Sequence, residues 1–106
     1  APYYYPMGLT FDTVNGNLIS CDNGSDYIYV HSGVSSTIKS YFFAPGNYPY
    51  SNPNGLAFDG ANLISSDRYY DKIYVHSGIS ATIIDSWATS YDNPTALTYA
   101  NGNLIS

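Results

Sequence analysis

Two histidines, His31 and His76, occupy the same hexapeptide, Ile-Tyr-Val-His-Ser-Gly, 45 residues apart. Imidazole can move protons near neutral pH or ligate zinc. A histidine that does either has no reason to recur at one position of a repeated motif, whereas one that hydrogen-bonds the adjoining turn does. Two histidines also fall short of a zinc site. Asp22 and Asp26 return as Asp67 and Asp71. Carboxylates beside Asn23 are hard oxygen ligands that suit calcium. The chain lacks the dense Asp-x-Asp-x-Asp-Gly loop with a distal Glu, so these aspartates read as caps on a tight connection. Asp12 and Asp59 read as turn-formers for the same reason. The serines are scattered, with no Gly-x-Ser-x-Gly elbow and no Gly-rich phosphate loop. The expectation is a chain that is not an enzyme, with no metal and no cofactor.

Tyrosine offers different chemistry, a flat apolar ring with a polar tip that stacks on sugar rings or packs at protein interfaces. The chain has thirteen of them. Tyr3-Tyr4-Tyr5-Pro6, Tyr48-Pro49-Tyr50-Ser51-Asn52-Pro53 and Tyr91-Asp92-Asn93-Pro94 fall at equivalent places in successive repeats, and Arg68-Tyr69-Tyr70-Asp71 on another turn. Tyr4, Tyr5, Tyr48, Tyr50, Tyr69, Tyr70 and Tyr91 are therefore the candidate ligand-binding residues, for glycan or protein. The plainer reading has these segments packing repeat on repeat. Asn23-Gly24-Ser25 is an N-glycosylation acceptor on a turn.

The elements that would hold these residues follow from the repeat itself. Gly8-Leu9-Thr10-Phe11-Asp12 returns as Gly55-Leu56-Ala57-Phe58-Asp59 and then as Ala96-Leu97-Thr98-Tyr99; Asn17-Leu18-Ile19-Ser20 returns twice. Each repeat holds four short apolar runs, in the second copy at 55–58, 62–65, 72–76 and 80–86. They are rich in Ile, Val, Tyr, Phe and Thr and are separated by turn residues, which predicts strands. No window shows the 3.6-residue stripe of a helix. Four antiparallel strands in a repeat of this length predict an all-β fold of β-propeller blades, about two and a half in the chain. Blade 1 is placed at about 7–47, blade 2 at about 54–92, and the first two strands of blade 3 at about 95–106.

The Gly-Leu-x-Phe-Asp, Asn-Leu-Ile-Ser-x-Asp and Ile-Tyr-Val-His-Ser-Gly segments resemble the blade motif of the NHL, YncE and SMP-30-like propellers. The resemblance runs over nearly the whole chain. It implies the propeller fold and a choice among binding scaffolds, cell-surface proteins and lactonases. Ile19 and Ile64 stand where those families often carry an aromatic residue. The lactonase option implies a tunnel metal held by non-repeating Glu, Asn and Asp ligands, and the chain has no Glu.

Net charge is −5, only 10% of residues are charged, and the three basic residues form no patch. That excludes a nucleic-acid surface, which needs clustered Lys and Arg. No apolar run approaches membrane-spanning length. A surface rich in Tyr, Asn, Ser and Thr and poor in Lys is expected of a secreted or cell-surface protein. The lone Cys21 forms no internal disulfide and reads as a small buried side chain. Two and a half blades do not close a propeller. Further blades of a longer chain, or copies of this one in a filamentous or ring-like array, are therefore the expected partners. Together these features point to an extracellular structural or interaction scaffold. A propeller lectin reading glycans through its Tyr-rich loops is the alternative, and a tunnel-metal hydrolase the least favoured.

Overall fold

The computed structural model describes residues 6–22, 26–45, 53–67, 71–88, 98–100 and 103–105. Strands β1 (Pro6–Asp12), β2 (Asn17–Asp22), β3 (Tyr27–His31) and β4 (Ile38–Phe43) form one antiparallel sheet in sequential order. Strands β5 (Pro53–Phe58), β6 (Leu63–Asp67), β7 (Lys72–His76) and β8 (Ile83–Ala88) form a second sheet of the same order. A hairpin of β9 (Thr98–Ala100) and β10 (Asn103–Ile105) opens a third. Among the described residues there is no helix. The all-β blade architecture stands as the repeat predicts.

Chain reversals are built by side chains at fixed repeat positions. The Asp12 carboxylate accepts the Val14 and Asn15 amides at 2.9 and 3.0 Å, and Asn15 Nδ2 donates to its second oxygen at 2.9 Å. Asp59 takes the Ala61 and Asn62 amides at 2.9 and 2.7 Å. Both are Asx turns, as their place at a strand end suggests. Between β3 and β4 the chain turns through Gly33 at φ 67°, and between β7 and β8 through Gly78 at φ 65°. Each of these amides donates at 2.9 Å to the Asn that opens the second strand, Asn17 or Asn62. A left-handed backbone at that point is cheap only for glycine.

Blade packing is directional. Cross-strand register puts Gly8, Ile19, Cys21, Ile28 and Phe42 on one face of blade 1, the forward face. Leu9, Phe11, Leu18, Ser20 and Tyr29 lie on the other, the rear face. A buried cluster joins Ile19, Cys21, Ile28 and Ala44 of blade 1 to Leu56 and Leu63 of blade 2, with Phe42 and Ile79 against it. Leu56 and Leu63 are the repeat equivalents of Leu9 and Leu18. The forward face of one blade therefore covers the rear face of the next. The innermost strands approach closely. A Cβ built on Gly8 would lie 3.1 Å from Gly55 Cα, 3.1 Å from Cys21 Sγ and 3.2 Å from the Asn54 carbonyl oxygen.

Several strand boundaries depart from expectation: β5 starts at Pro53 rather than 55, and β6 ends at Asp67 rather than 65. The fourth run of blade 2 is placed at 80–86 from sequence, yet β8 starts at Ile83. The turn holds Ser80 instead: its hydroxyl donates to the Ser77 carbonyl at 2.7 Å, and its carbonyl is taken by His76.

Candidate interaction face

Both four-stranded blades carry the same polar chain. Ser20 Oγ lies 2.8 Å from His31 Nε2, and His31 Nδ1 lies 2.7 Å from the Ser35 carbonyl oxygen. Ser65, His76 and Ser80 repeat it at 2.8 and 2.6 Å. A carbonyl only accepts, so Nδ1 carries the proton and the serine hydroxyl donates to Nε2. A hydroxyl, an imidazole and an orienting acceptor stand in the order of a nucleophile, its base and its support. The hydroxyls and imidazoles lie inside the sheet stack, however, with Ser20, His31, Ser65 and His76 buried. Burial lowers the His76 pKa below its ordinary 6.5, against the opposing pull of the Ser80 carbonyl. The arrangement ties the second strand to the turn after the third, the role that recurrence in both blades implies.

The recurring aspartates meet across the blade junction. Asp22, Asp26 and Asp67 are all buried. Asp26 closes the β2–β3 connection in a left-handed conformation, φ 62°, with its amide on the Asp22 carbonyl at 2.8 Å. Burial, then the charges of Asp67 and Asp22, pushes its carboxyl up to about 6. Asp71 repeats the geometry at φ 53°. The connection is thus made by backbone conformation and an amide–carbonyl bond. Among the described residues no three His, Cys or Asp side chains group closely enough to hold a metal ion. A shallow cleft of about 400 Å³ lies at the blade junction between Val14, Asn15, Phe58, Gly60 and Ile79. Its only titratable group, Asp12, has its oxygens committed to the β1–β2 turn. Burial pulls that carboxyl up, but hydrogen bonds from Asn15 and Val14 leave it below 3.8.

The distinctive surface is on the outer strands of blade 1. Tyr27 pairs with Phe43, and Tyr29 with Tyr41, across β3 and β4. Tyr27 stacks on Phe43 with ring centroids 4.5 Å apart at 22°, and meets the edge of Tyr41 at 5.0 Å and 75°. Tyr29 lies 5.9 Å from Tyr27 and 6.1 Å from Tyr41. Tyr29 is buried and Tyr27 half-buried, while Tyr41 and Phe43 stay exposed at 61% and 48%. The result is a rigid aromatic ladder open to solvent, with the exposed Lys39 on the same strand. Such rings prefer the stacked and edge-on contacts seen here and so hold one another in place.

The repeat does not call for these rings. Blade 2 carries Lys72, Tyr74, Ser86 and Ala88 at the same positions. Lys72, Ser86 and Ala88 remain exposed although the inner part of that face is covered by blade 1. A neighbouring blade therefore stops short of this margin, and blade stacking does not account for the ladder. The ladder is hard to find from sequence because the Tyr-Pro segments hold the more conspicuous tyrosines. The available signal was alternate aromatics, Tyr27-x-Tyr29 and Tyr41-x-Phe43, breaking a repeat otherwise kept. The loop tyrosines Tyr4, Tyr5, Tyr48, Tyr50, Tyr69, Tyr70 and Tyr91, and Asn23, lie outside the described residues.

No protein-family model and no curated protein matches the chain. Solved structures do. The chain superposes on Myxococcus xanthus glutaminyl cyclase with TM-score 0.74 at 20% identity, over 94% of this chain and 40% of that one. For Kuenenia stuttgartiensis hydrazine synthase the values are 0.72 and 14%, over 95% and 28%. For the RRP9 WD40 repeats they are 0.64 and 18%, over 86% and 26%. The chain thus spans 26 to 40% of the length of these three chains. The likeness is one of fold: these are β-propeller proteins, and this chain is a partial propeller of about two blades. The expectation that the chain is not an enzyme needs correction, since a glutaminyl cyclase is an enzyme built on this blade arrangement. The physical reason is that a scaffold keeps its reactive groups on variable loops, which a search for repeated motifs passes over. At 20% identity the match carries no reaction over to this chain.

Proposed function

We propose that this chain is a propeller scaffold that works by recognition, presenting Tyr41 and Phe43, backed by Tyr27 and the buried Tyr29, to a protein partner outside the cell. The observation that carries the reading is the replacement of this ladder by Lys72, Tyr74, Ser86 and Ala88 in a blade of otherwise matching design. The exposed rings of Tyr41 and Phe43 offer apolar contact at little entropic cost, because packing against Tyr27 and Tyr29 has already restricted them. A net charge of −5 with few basic residues turns the surface away from nucleic acid. The near absence of Lys and the abundance of Tyr, Ser and Asn favour a secreted or surface location.

The second reading is a lectin, favoured by the tyrosines repeated in the inter-blade segments. A glycan array and an array of extracellular protein domains, probed with the chain and two sets of variants, separate the two readings. Tyr41→Ala with Phe43→Ala is expected to weaken binding to a protein domain at least tenfold without lowering Tm. Glycan binding lost on Tyr50→Ala or Tyr69→Ala, with the ladder variant unaffected, would give the site to the loops. A chain that engages neither array would defeat both readings.

A further inference from the structure

We propose that β4, the outer edge of blade 1, takes up an extended segment of a protein partner as an added strand of the sheet. This rests on the reading of the aromatic ladder as a recognition surface, and it gives that partner its form. The backbone decides which residues of β4 face outward. The Ala44 amide donates to the Asp26 carbonyl at 2.9 Å, so these two residues form a hydrogen-bonded pair. In an antiparallel ladder such pairs alternate with closer, non-bonded ones. Ile28 with Phe42 and Val30 with Ser40 are then bonded pairs, and Tyr29 with Tyr41 is a non-bonded one. The backbone N–H and C=O of Tyr41 therefore point away from β3, off the edge of a sheet whose order ends at β4. The same residue holds up a ring that is 61% exposed.

Blade 2 guards the same place. Ser86 is the repeat equivalent of Tyr41, opposite Tyr74 as Tyr41 is opposite Tyr29. Its amide donates to the Asp85 carboxylate at 2.8 Å. A carboxylate held over an edge amide closes the point at which another strand would begin to pair. Blade 1 has Ser40 where blade 2 has Asp85. Among the described residues nothing caps the Tyr41 amide. The guarded edge thus carries a serine, and the open one carries the ladder. A strand added there, antiparallel like every pair in the blade, sets side chains at alternate positions over Phe43 and Tyr41. Its next such position falls beside Lys39, which is exposed and is the one Lys or Arg of blade 1. The segment that fits is extended, with apolar residues at two alternate positions and then a carboxylate. A second copy of this chain fits poorly, because copies at net charge −5 repel and β4 offers no carboxylate to Lys39.

The probe is the blocked peptide acetyl-Thr-Val-Thr-Tyr-Thr-Glu-Thr-amide, titrated into the 106-residue chain by NMR with hydrogen exchange. Binding is expected to slow exchange at the Tyr41 amide. N-methylation of the peptide's tyrosine, which lies opposite Tyr41, should weaken binding about tenfold or more. N-methylation of the threonine after it should leave binding nearly unchanged, because that amide faces away from β4. Ser40→Asp, which copies the guard of blade 2, should weaken binding to a similar degree at unchanged Tm. The loss should persist with Gln in place of the peptide's Glu, which separates capping from charge repulsion. Should Ser40→Asp fold poorly, the two N-methyl peptides carry the test. A peptide that does not bind, two N-methyl peptides that bind alike, or an unprotected Tyr41 amide in the complex overturns strand addition. A partner from the protein array that is lost with Tyr41→Ala and Phe43→Ala but kept by Ser40→Asp also overturns it, and leaves the recognition reading standing. A partner indifferent to both rings removes that reading and this inference with it. Self-association of the chain that Ser40→Asp blocks gives the edge to a second copy and overturns the choice of partner.

Discussion

Asp26 combines a backbone conformation few side chains accept with a place few charges accept. Its φ of 62° suits Asn as well as Asp, and its carbonyl takes the Ala44 amide at 2.9 Å. With the carboxyl pushed up to about 6 from 3.8, the folded chain holds this proton more tightly than the unfolded chain does. The contribution to stability is full below the ordinary value and is lost as pH rises through the folded one. Asp26→Asn keeps the turn and removes the charge. The variant is expected to be about 1 kcal/mol more stable at neutral pH, with the decline between those two values flattened. Urea denaturation across a pH series checks both. His76 runs the other way. Its depressed pKa means stability present at neutral pH and lost as pH falls through 6.5, where the unfolded imidazole charges first. Ser65→Ala would leave buried Nε2 without its donor, at a cost of about 1–2 kcal/mol by the same assay.

At the scale of strands and turns, most of the architecture was legible because each element appears more than once. Asp12 and Asp59, Asn17 and Asn62, Gly33 and Gly78 do the same work in both blades, so pattern and chemistry agreed. The histidines were legible for the same reason. The start of β8 was not, because Ser80 looks like a strand residue and its capture by His76 is a tertiary event. The ladder escaped because its meaning lies in a departure from the repeat, and the departure stands out only when registers are aligned. Gly8 tests the packing of elements directly. A methyl there would meet the backbone of Gly55 and Asn54, which cannot swing aside as a side chain can. Gly8→Ala is expected to cost about 1–3 kcal/mol. Gly33→Ala meets nothing within 4 Å and should cost only the roughly 1 kcal/mol of a strained φ, read from denaturation midpoints.

For the molecule as a whole, one position in two settings separates packing from intrinsic preference. Leu56→Ala, at the closed junction, is expected to destabilise by about 2–5 kcal/mol. Leu9→Ala, its exposed counterpart, should fall within about 0.5 kcal/mol of wild type in the dilute single chain. Chemical denaturation of the two variants side by side checks the contrast. Equal losses would mean that the two leucines share an environment after all. The closed junction also holds the only cysteine of the chain. Cys21 is fully buried there, and burial, with the neighbouring Asp22 charge, pushes its thiol up to about 12. A thiol so protected reacts with an alkylating reagent only in the moments when the junction parts. The labelling rate of one sulfur atom is therefore a clock for breathing between neighbouring blades, wound into the protein without any added probe.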